Sequence, residues 1–184
     1  MSLETVRAFL ARHAPELEVT VTEASSATVA DAAAAYGVAL GQIAKTLTLK
    51  TAAGVVLLVA RGDARLDNRK AKSQFGKKLS MVEASEVERI TGHPLGGVTP
   101  FGLALPLPVY CDVSLKAFDE VIPAAGSGNS AVRISPARLA EITGAQWVDC
   151  CEGPVPAGDA LPYSGDALAG LRPGDQEPNR GEQT

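Results

Sequence analysis

Apolar residues recur along the chain with the spacings of short helices and strands. Residues 3–10 repeat apolar side chains at helical spacing, and residues 17–21 alternate apolar and polar side chains as a half-buried strand does. Two longer apolar runs, 43–50 and 55–60, are separated by a turn at 52–54 and predict a β-hairpin. The first third of the chain therefore predicts helices interleaved with strands.

Capping residues mark four further helices. Each begins after a Ser, Thr or Asp, whose side-chain oxygen accepts from the free N–H groups of the first turn, and ends before a glycine, which tolerates the left-handed conformation. The starting and ending residues are Thr28 with Gly37, Asp67 with Gly76, Ser85 with Gly92, and Ser135 with Gly144. Ser85 and Glu88 form a Ser-x-x-Glu capping box, and Pro136 takes the first helical position, where proline is favoured.

Further strands alternate with these helices in the second half of the chain. They are predicted at 79–82, 107–113, near Val121, 131–134 and 146–149. Strands paired as hairpins with single helices between them favour a mixed α/β fold with an antiparallel-rich sheet. We expect one compact domain over residues 1–152. Residues 153–184 hold five of the 12 prolines and few large apolar side chains, and they predict a disordered tail.

Composition narrows the class of protein. The chain has 184 residues, 46% of them apolar and 21% charged, which is the balance of a soluble globular domain. No apolar run approaches the roughly 20 residues of a membrane helix, and the first residues lack the pattern of a secretory signal. The three cysteines are too few for a disulfide framework. These features predict a cytoplasmic protein with reduced thiols, and they exclude a membrane protein, a secreted scaffold and a repeat array.

Charge is unevenly distributed along the chain. The net charge is −4, which disfavours a broad surface for nucleic acid. Residues 61–78 nevertheless carry seven basic and two acidic side chains, a net charge of +5. This stretch is either a solvated helix face or a local contact for phosphate.

Lys45 is an anomaly within the predicted hairpin. Since successive side chains of a strand alternate faces, Lys45 falls on the apolar face with Leu47 and Leu49. Lysine is rarely buried without a partner. Its ammonium therefore either reaches a carboxylate, a pocket or a ligand, or extends to water from the end of the strand. A Schiff-base lysine is a further alternative, which nothing else in the sequence supports.

Two glycine-rich segments are candidate binding loops. One is the loop formed by Gly96, Gly97, Val98, Thr99 and Pro100, whose consecutive N–H groups could face a carbonyl oxygen or an anion. Loops rich in glycine and proline also commonly do no more than connect helices and strands. Residues Gly126, Ser127 and Gly128 form a similar segment, which a hairpin turn also explains.

Several familiar kinds of active site are disfavoured. The two histidines are too few for a hydrolase triad or a zinc site, and the adjacent Cys150 and Cys151 lack the spacing of metal ligands. There is no Gly-x-Ser-x-Gly elbow for a nucleophilic serine. A hydrolase with this sequence would act without a protein nucleophile or a metal.

Several of these segments, taken in order, resemble the YbaK family. Its free-standing members are aminoacyl-tRNA deacylases related to the editing domain inserted in bacterial prolyl-tRNA synthetases. The resemblance runs from about residue 3 to 150. It rests above all on Ile43-Ala-Lys-Thr-Leu47 and on Gly96-Gly-Val-Thr-Pro-Phe-Gly102, supported by Tyr36-Gly-Val38 and Thr91-Gly-His-Pro94.

The resemblance implies hydrolysis of the ester that joins a wrong amino acid to the 3′ end of tRNA, on a mixed α/β domain with a curved, barrel-like sheet. Lys45 would anchor the terminal adenosine near a phosphate. Backbone groups of Gly96 to Pro100 would position the ester carbonyl. No metal or cofactor is expected from the resemblance. Attack would come from water assisted by the 2′-hydroxyl of the substrate, or from the thiol of a cysteinyl ester. The expected partners are the tRNA acceptor end, with tRNA(Pro) favoured, and an aminoacyl-tRNA synthetase; no membrane partner is expected.

Two departures from the family pattern concern the substrate amino acid. Ser25-Ser26-Ala27 stands where many members carry a histidine or a proline, and Asn129-Ser130-Ala131 lacks an acidic residue typical of cysteine-editing members. A small amino acid such as cysteine or alanine is expected. Two other hypotheses stay open: a non-catalytic module that binds a tRNA end, a nucleotide or a synthetase, and a lysine-dependent carbon–carbon lyase.

Overall fold

The computed structural model describes residues 2–154, and the predicted tail from residue 155 onward lies outside the described residues. The helices in this part of the chain are α1 (Ser2–His13), α2 (Val29–Tyr36), α3 (Asn68–Phe75), α4 (Ala84–Thr91) and α5 (Pro136–Thr143). The strands are β1 (Val19–Val21), β2 (Ile43–Thr51), β3 (Gly54–Arg61), β4 (Arg65–Leu66), β5 (Ser80–Met81), β6 (Val109–Asp112), β7 (Ile122–Pro123), β8 (Ser130–Val132), β9 (Gln146–Val148) and β10 (Cys151–Glu152). Two 3₁₀ turns cover Leu40–Gln42 and Val113–Ala117.

A six-stranded sheet built on the predicted hairpin organises the domain. The main path runs β5-β2-β3-β6-β9, and β7 pairs with the beginning of β2 on the same edge as β5. The β2–β3 and β2–β5 pairs are antiparallel, whereas β6, β7 and β9 join in parallel. The mixed α/β class and the single compact domain are confirmed. The sheet stays open between β5 and β9 and does not close into a barrel.

Both faces of the hairpin are buried, and each belongs to its own core. On one face, Leu47, Leu49 and Leu58 pack with Ala71 of α3, and we call this the α3 face. On the other, Leu57 and Val59 pack with apolar residues of α1 and α5, and we call this the α1/α5 face. Burial of both faces explains the nearly continuous apolar sequence of β3.

Most of the predicted helix ends are confirmed. The side chains of Thr28, Asp67 and Ser135 accept hydrogen bonds from N–H groups in the first turns of α2, α3 and α5. The helices α2 to α5 each end at a glycine with φ between 63° and 81°. These ends were predictable because capping depends on residues close in sequence.

The predicted capping box of α4 is wrong. The helix begins at Ala84, so Ser85 lies within its first turn, and Glu83 occupies the capping position without a side-chain hydrogen bond. The helix begins this early because Val82, two residues before it, is held against β2, where Val82 N donates to Thr48 O at 2.9 Å.

The short strands β4 and β10 were not predicted. They form an antiparallel pair of two residues each, far below the length at which alternation is recognisable. A second small ladder joins β1 to β8. None of the helices described is long and apolar enough to cross a membrane.

Candidate functional site

Three loops meet on one side of the domain. Ser26 N donates to Gly128 O at 2.6 Å, and Gly126 N donates to Gly97 O at 3.2 Å. We call residues 26–27, 96–100 and 126–128 the three-loop cluster. The structure thus brings together both glycine-rich segments singled out in the sequence.

Glycine allows two of these loops to approach each other closely. A Cβ added to Gly97 would lie 2.7 Å from Ser127 N, so any side chain there would push the two backbones apart. Gly96 has φ +81°, and a Cβ there would lie 2.9 Å from the Cβ of Ala27. Both glycines are therefore required by the way the loops pack.

Donors without an acceptor lie at the centre of the cluster. Gly97 N donates to Pro94 O at 2.9 Å, whereas the next two amides, of Val98 and Thr99, have no acceptor among residues 2–154. The Thr99 hydroxyl is also buried without a hydrogen-bond partner. Buried polar groups are usually satisfied. These three groups are thus candidates for binding a carbonyl oxygen.

The turn at 126–128 forms a rigid rim. The Ser127 hydroxyl lies 2.9 Å from Asn129 Oδ1 and 2.7 Å from Ser130 Oγ, and Asn129 Nδ2 donates to Thr22 O. These bonds hold the turn and engage the Ser127 side chain within it. Ala27, Ser127 and Gly128 are half-buried while residues 96–100 are buried, so solvent reaches the cluster from this rim.

Lys45 is buried on the α3 face. It is 1% exposed, which excludes a side chain extended into water. Its Nζ donates to Gly62 O at 3.1 Å and to Ala64 O. Burial lowers the pKa of Lys45 from 10.5 to about 8, and the negative charge of Asp63 opposes this shift. The predicted apolar-face lysine thus has carbonyl partners from the turn that joins β3 to β4.

The Lys45 turn and the three-loop cluster are connected through α2. Gly62 packs on the start of this helix, since a Cβ there would lie 2.6 Å from Val29 Cγ1, and Val29 follows Ala27 by two residues. Phe101, directly after Pro100, packs in the core of the α1/α5 face. The loops and Lys45 therefore reach the beginning of α2 from opposite faces of the sheet.

Residues 23–142 match the family model described as the aminoacyl-tRNA editing domain. The chain belongs to this family. Its activity is therefore that of a hydrolase acting on the ester bond of aminoacyl-tRNA.

Individual relatives agree with this assignment. YwhH of Bacillus subtilis, an uncharacterized protein, is 47% identical over 154 residues, which are 83% of this chain and 98% of YwhH. EbsC of Enterococcus faecalis, whose name proposes a Cys-tRNA(Pro)/Cys-tRNA(Cys) deacylase, is 29% identical over 64% of this chain and 73% of its own. A proline–tRNA ligase of Geobacter is 34% identical over 103 residues, only 18% of that enzyme.

A solved structure supports the same fold. It was proposed to be a trans-editing enzyme for prolyl tRNA synthetase, and it superposes with a TM-score of 0.76 at 37% sequence identity. The match covers 83% of this chain and 98% of that one. The two structures therefore share one fold over nearly the whole of that protein.

One buried cluster in the editing domain has the atoms of a metal site. A carboxylate oxygen of Asp112 and the Sγ atoms of Cys150 and Cys151 lie within 4.8 Å of one another. However, Asp112 Oδ2 accepts from the amides of Cys150 and Cys151, and Oδ1 accepts from Ser114 N. A hydrogen bond with Cys150, together with burial, raises the pKa of Cys151 and keeps this thiol protonated. These hydrogen bonds account for the cluster, because they fix the turn between β9 and β10.

Ion pairs reduce the free charge of the basic stretch. Arg61, Arg65 and Lys70 pair with acidic side chains, and Lys70 Nζ also donates to Cys151 O. The remaining basic residues are exposed on or just after α3: Arg69, Lys72, Lys77 and Lys78. These four side chains are the exposed part of the predicted basic surface outside these ion pairs; Arg65 is also exposed but pairs with Glu152.

Proposed function

We propose that this editing domain removes a small mischarged amino acid, cysteine or alanine, from tRNA(Pro), and that the three-loop cluster binds the ester. The tRNA is suggested by the names of relatives, which include proline–tRNA ligases and EbsC. Because charged tRNA is the substrate of translation, the cytoplasm is the expected location. A synthetase that produces the mischarged tRNA is the expected partner.

The unpartnered donors of Val98 and Thr99 are the observation that carries this proposal. Water, assisted by the 2′-hydroxyl of the terminal adenosine, adds to the ester carbonyl carbon, and the carbonyl oxygen becomes negatively charged. Fixed N–H and O–H donors stabilise that charge without reorganisation. The bond to the ribose oxygen then breaks, and the ribose oxygen takes up a proton. In a cysteinyl ester the substrate thiol would replace water as the nucleophile: its proton passes to the departing ribose oxygen, and the cyclic thioester of cysteine that forms is then hydrolysed by water.

The walls of the cluster favour a small side chain. Ala27 lies between Gly96 and Gly128, and a Cβ on Gly128 would be 3.6 Å from the Cβ of Ala27. A site closed in by these small residues would distinguish amino acids by about 1–3 kcal/mol per methylene. The side chains of cysteine and alanine are small enough to be favoured over larger ones at such a site.

Lys45 is proposed to anchor the terminal adenosine through a phosphate oxygen. In the free protein its ammonium is held by the neutral carbonyls of Gly62 and Ala64, next to the start of α2. A charged oxygen is a stronger acceptor than a carbonyl, so phosphate would replace one of these bonds when tRNA binds.

A deacylation panel tests this function. The wild type and Lys45→Ala are incubated with tRNAs charged with Cys, Ala, Ser, Thr or Pro. We expect release of Cys or Ala by the wild type and at least about 100-fold slower release by Lys45→Ala, with circular dichroism showing that the variant is folded. Binding of tRNA without release of any amino acid would favour the non-catalytic module and contradict the proposal.

Replacing the Thr99 hydroxyl tests the binding of the carbonyl. Thr99→Val is expected to raise the free energy of unfolding by about 1 kcal/mol, because it removes a buried hydroxyl without a partner. If the hydroxyl stabilises the reacting oxygen, kcat falls at least about tenfold. Thr48→Val is the matched control, since Thr48 has a similar buried hydroxyl on β2. It should gain stability and keep its activity; equal activity of both variants would exclude a role for Thr99.

A further inference from the structure

The proposed chemistry does not use the side chain of the buried His93, whose ring makes two hydrogen bonds next to the candidate binding loop. Its Nε2 lies 2.8 Å from Phe101 O, and its Nδ1 lies 2.5 Å from Ser2 Oγ. Because a carbonyl only accepts, Nε2 carries the proton, and Nδ1 accepts from the Ser2 hydroxyl. Burial lowers the pKa of His93 and favours this neutral ring, although the Phe101 carbonyl acts in the opposite direction.

The imidazole joins the two ends of the candidate binding loop. His93 N donates to Thr91 Oγ1, whose own hydroxyl bonds to Val87 O of α4, so the beginning of the loop is fixed. The ring then reaches across to Phe101 O, immediately after Pro100. Residues 93–101 are thereby closed into a ring that contains the unpartnered donors of Val98 and Thr99.

The first turn of α1 supports the same loops from behind. A Cβ on Gly126 would lie 2.7 Å from Ser2 O, and a Cβ on Gly102, where φ is +61°, would lie 2.7 Å from Thr5 O. The backbone of α1 thus lies against the 126–128 turn and against Gly102, two residues after Pro100. Ser2 is the residue that adds a side-chain hydrogen bond to this contact.

We propose that Ser2 and His93 are positioning residues of the editing reaction: the Ser2 hydroxyl orients the His93 ring by donating to Nδ1, and His93 holds the Val98–Thr99 donors in place through Phe101 O. This inference rests on the proposed function of the three-loop cluster. Without the Ser2 hydroxyl, Nδ1 loses its donor, and the ring is held through Nε2 alone. The loop between Thr91 and Ala104 is still closed at its base, where Ala104 N donates to Thr91 O at 2.9 Å, but the bond nearest the Val98–Thr99 donors is weakened.

Deacylation kinetics of four variants test the proposal. Ser2→Ala should lower kcat about tenfold and leave KM for the charged tRNA within about twofold, because the side chain touches the loop and not the substrate. Ser2→Thr keeps the hydroxyl and should restore kcat. His93→Gln keeps a donor toward Phe101 O and should retain more activity than His93→Leu.

Ser135→Ala is the control for a loss of stability alone. It removes the capping hydroxyl of α5 and should lower the melting temperature without changing kcat. The proposal is overturned if Ser2→Ala keeps the wild-type kcat, or if Ser2→Thr is no more active than Ser2→Ala.

A second measurement separates this inference from the proposed function. Nitrogen-15 NMR of the His93 ring reports its tautomer and its hydrogen bonds without substrate. We expect the Nε2-protonated form in both proteins, with the Nδ1 resonance of Ser2→Ala shifted downfield because Nδ1 no longer accepts a hydrogen bond. A wild type that releases no amino acid would contradict the proposed function, while the NMR would still test the link between Ser2 and His93. An unchanged Nδ1 resonance in Ser2→Ala would overturn that link.

Discussion

At the scale of single residues, Lys45 shows what the alternation of side chains along a strand predicts and what it leaves open. The pattern of β2 correctly predicted that Lys45 shares a face with Leu47 and Leu49. It left open whether the ammonium reaches water, and the structure decides this with two backbone carbonyls. A buried ammonium costs stability in proportion to the lowering of its pKa.

The pH dependence of stability should reveal that cost. Between pH 8 and 10.5 the unfolded chain binds more protons at Lys45 than the folded chain does. Charged Lys45 therefore lowers the free energy of unfolding most below pH 8, and this destabilisation disappears as the pH rises to 10.5. The stability of Lys45→Met relative to the wild type should therefore fall by up to about 3 kcal/mol across this range. Urea unfolding of both proteins at several pH values measures it. A difference that does not change with pH would show that the pKa is not lowered.

At the scale of elements, glycine serves two distinct purposes in this domain. The glycines that end helices, such as Gly37, adopt a left-handed conformation in open space. Gly97 instead lies against the backbone of the 126–128 turn. The sequence shows both as glycine in a loop, and only the neighbouring loop distinguishes close packing from a helix end.

Alanine substitutions separate these two purposes. Gly97→Ala should lower the free energy of unfolding by about 1–3 kcal/mol and abolish most deacylation, because its Cβ forces two loops apart. Gly37→Ala should cost about 1 kcal/mol through backbone strain and leave activity unchanged. Chemical denaturation and single-turnover deacylation of both variants provide the comparison. Full activity in Gly97→Ala would mean that the close approach of the loops is unnecessary for the reaction.

At the scale of the whole molecule, the distribution of charge suggests a small contact with tRNA. Residues 61–78 hold a net charge of +5 in the sequence, but three of their basic side chains are paired with acidic ones in the fold. Lys70 also holds the chain near Cys151, so changing it would disturb the fold. The surface of α3 is left as the candidate contact for phosphate.

Charge reversal on α3 tests this surface. Arg69→Glu with Lys72→Glu should weaken tRNA binding about tenfold or more at low salt and reduce the dependence of affinity on salt. Lys50→Glu with Arg89→Glu changes the net charge equally at exposed positions around Glu86, and it should have a smaller effect. Filter binding at several salt concentrations measures both pairs. Equal losses in the two double variants would exclude a localised contact.

The sequence by itself determined the features that depend on near neighbours. These are the hairpin, most of the helix ends and the face of β2 on which Lys45 lies, because hydrogen bonds within a turn and alternation along a strand involve residues only a few positions apart. The beginning of α4 was missed because a contact with Thr48 fixes it.

Only the tertiary structure decided how the candidate site is assembled. Ser26, Gly97 and Gly128 are far apart in the sequence and meet through backbone contacts, which no side-chain pattern encodes. The same holds for the parallel pairing of β6, β7 and β9 and for the bond between Ser2 and His93. The physical reason is that local preferences specify each element, whereas the packing of the two cores on either side of the sheet sets which loops come together.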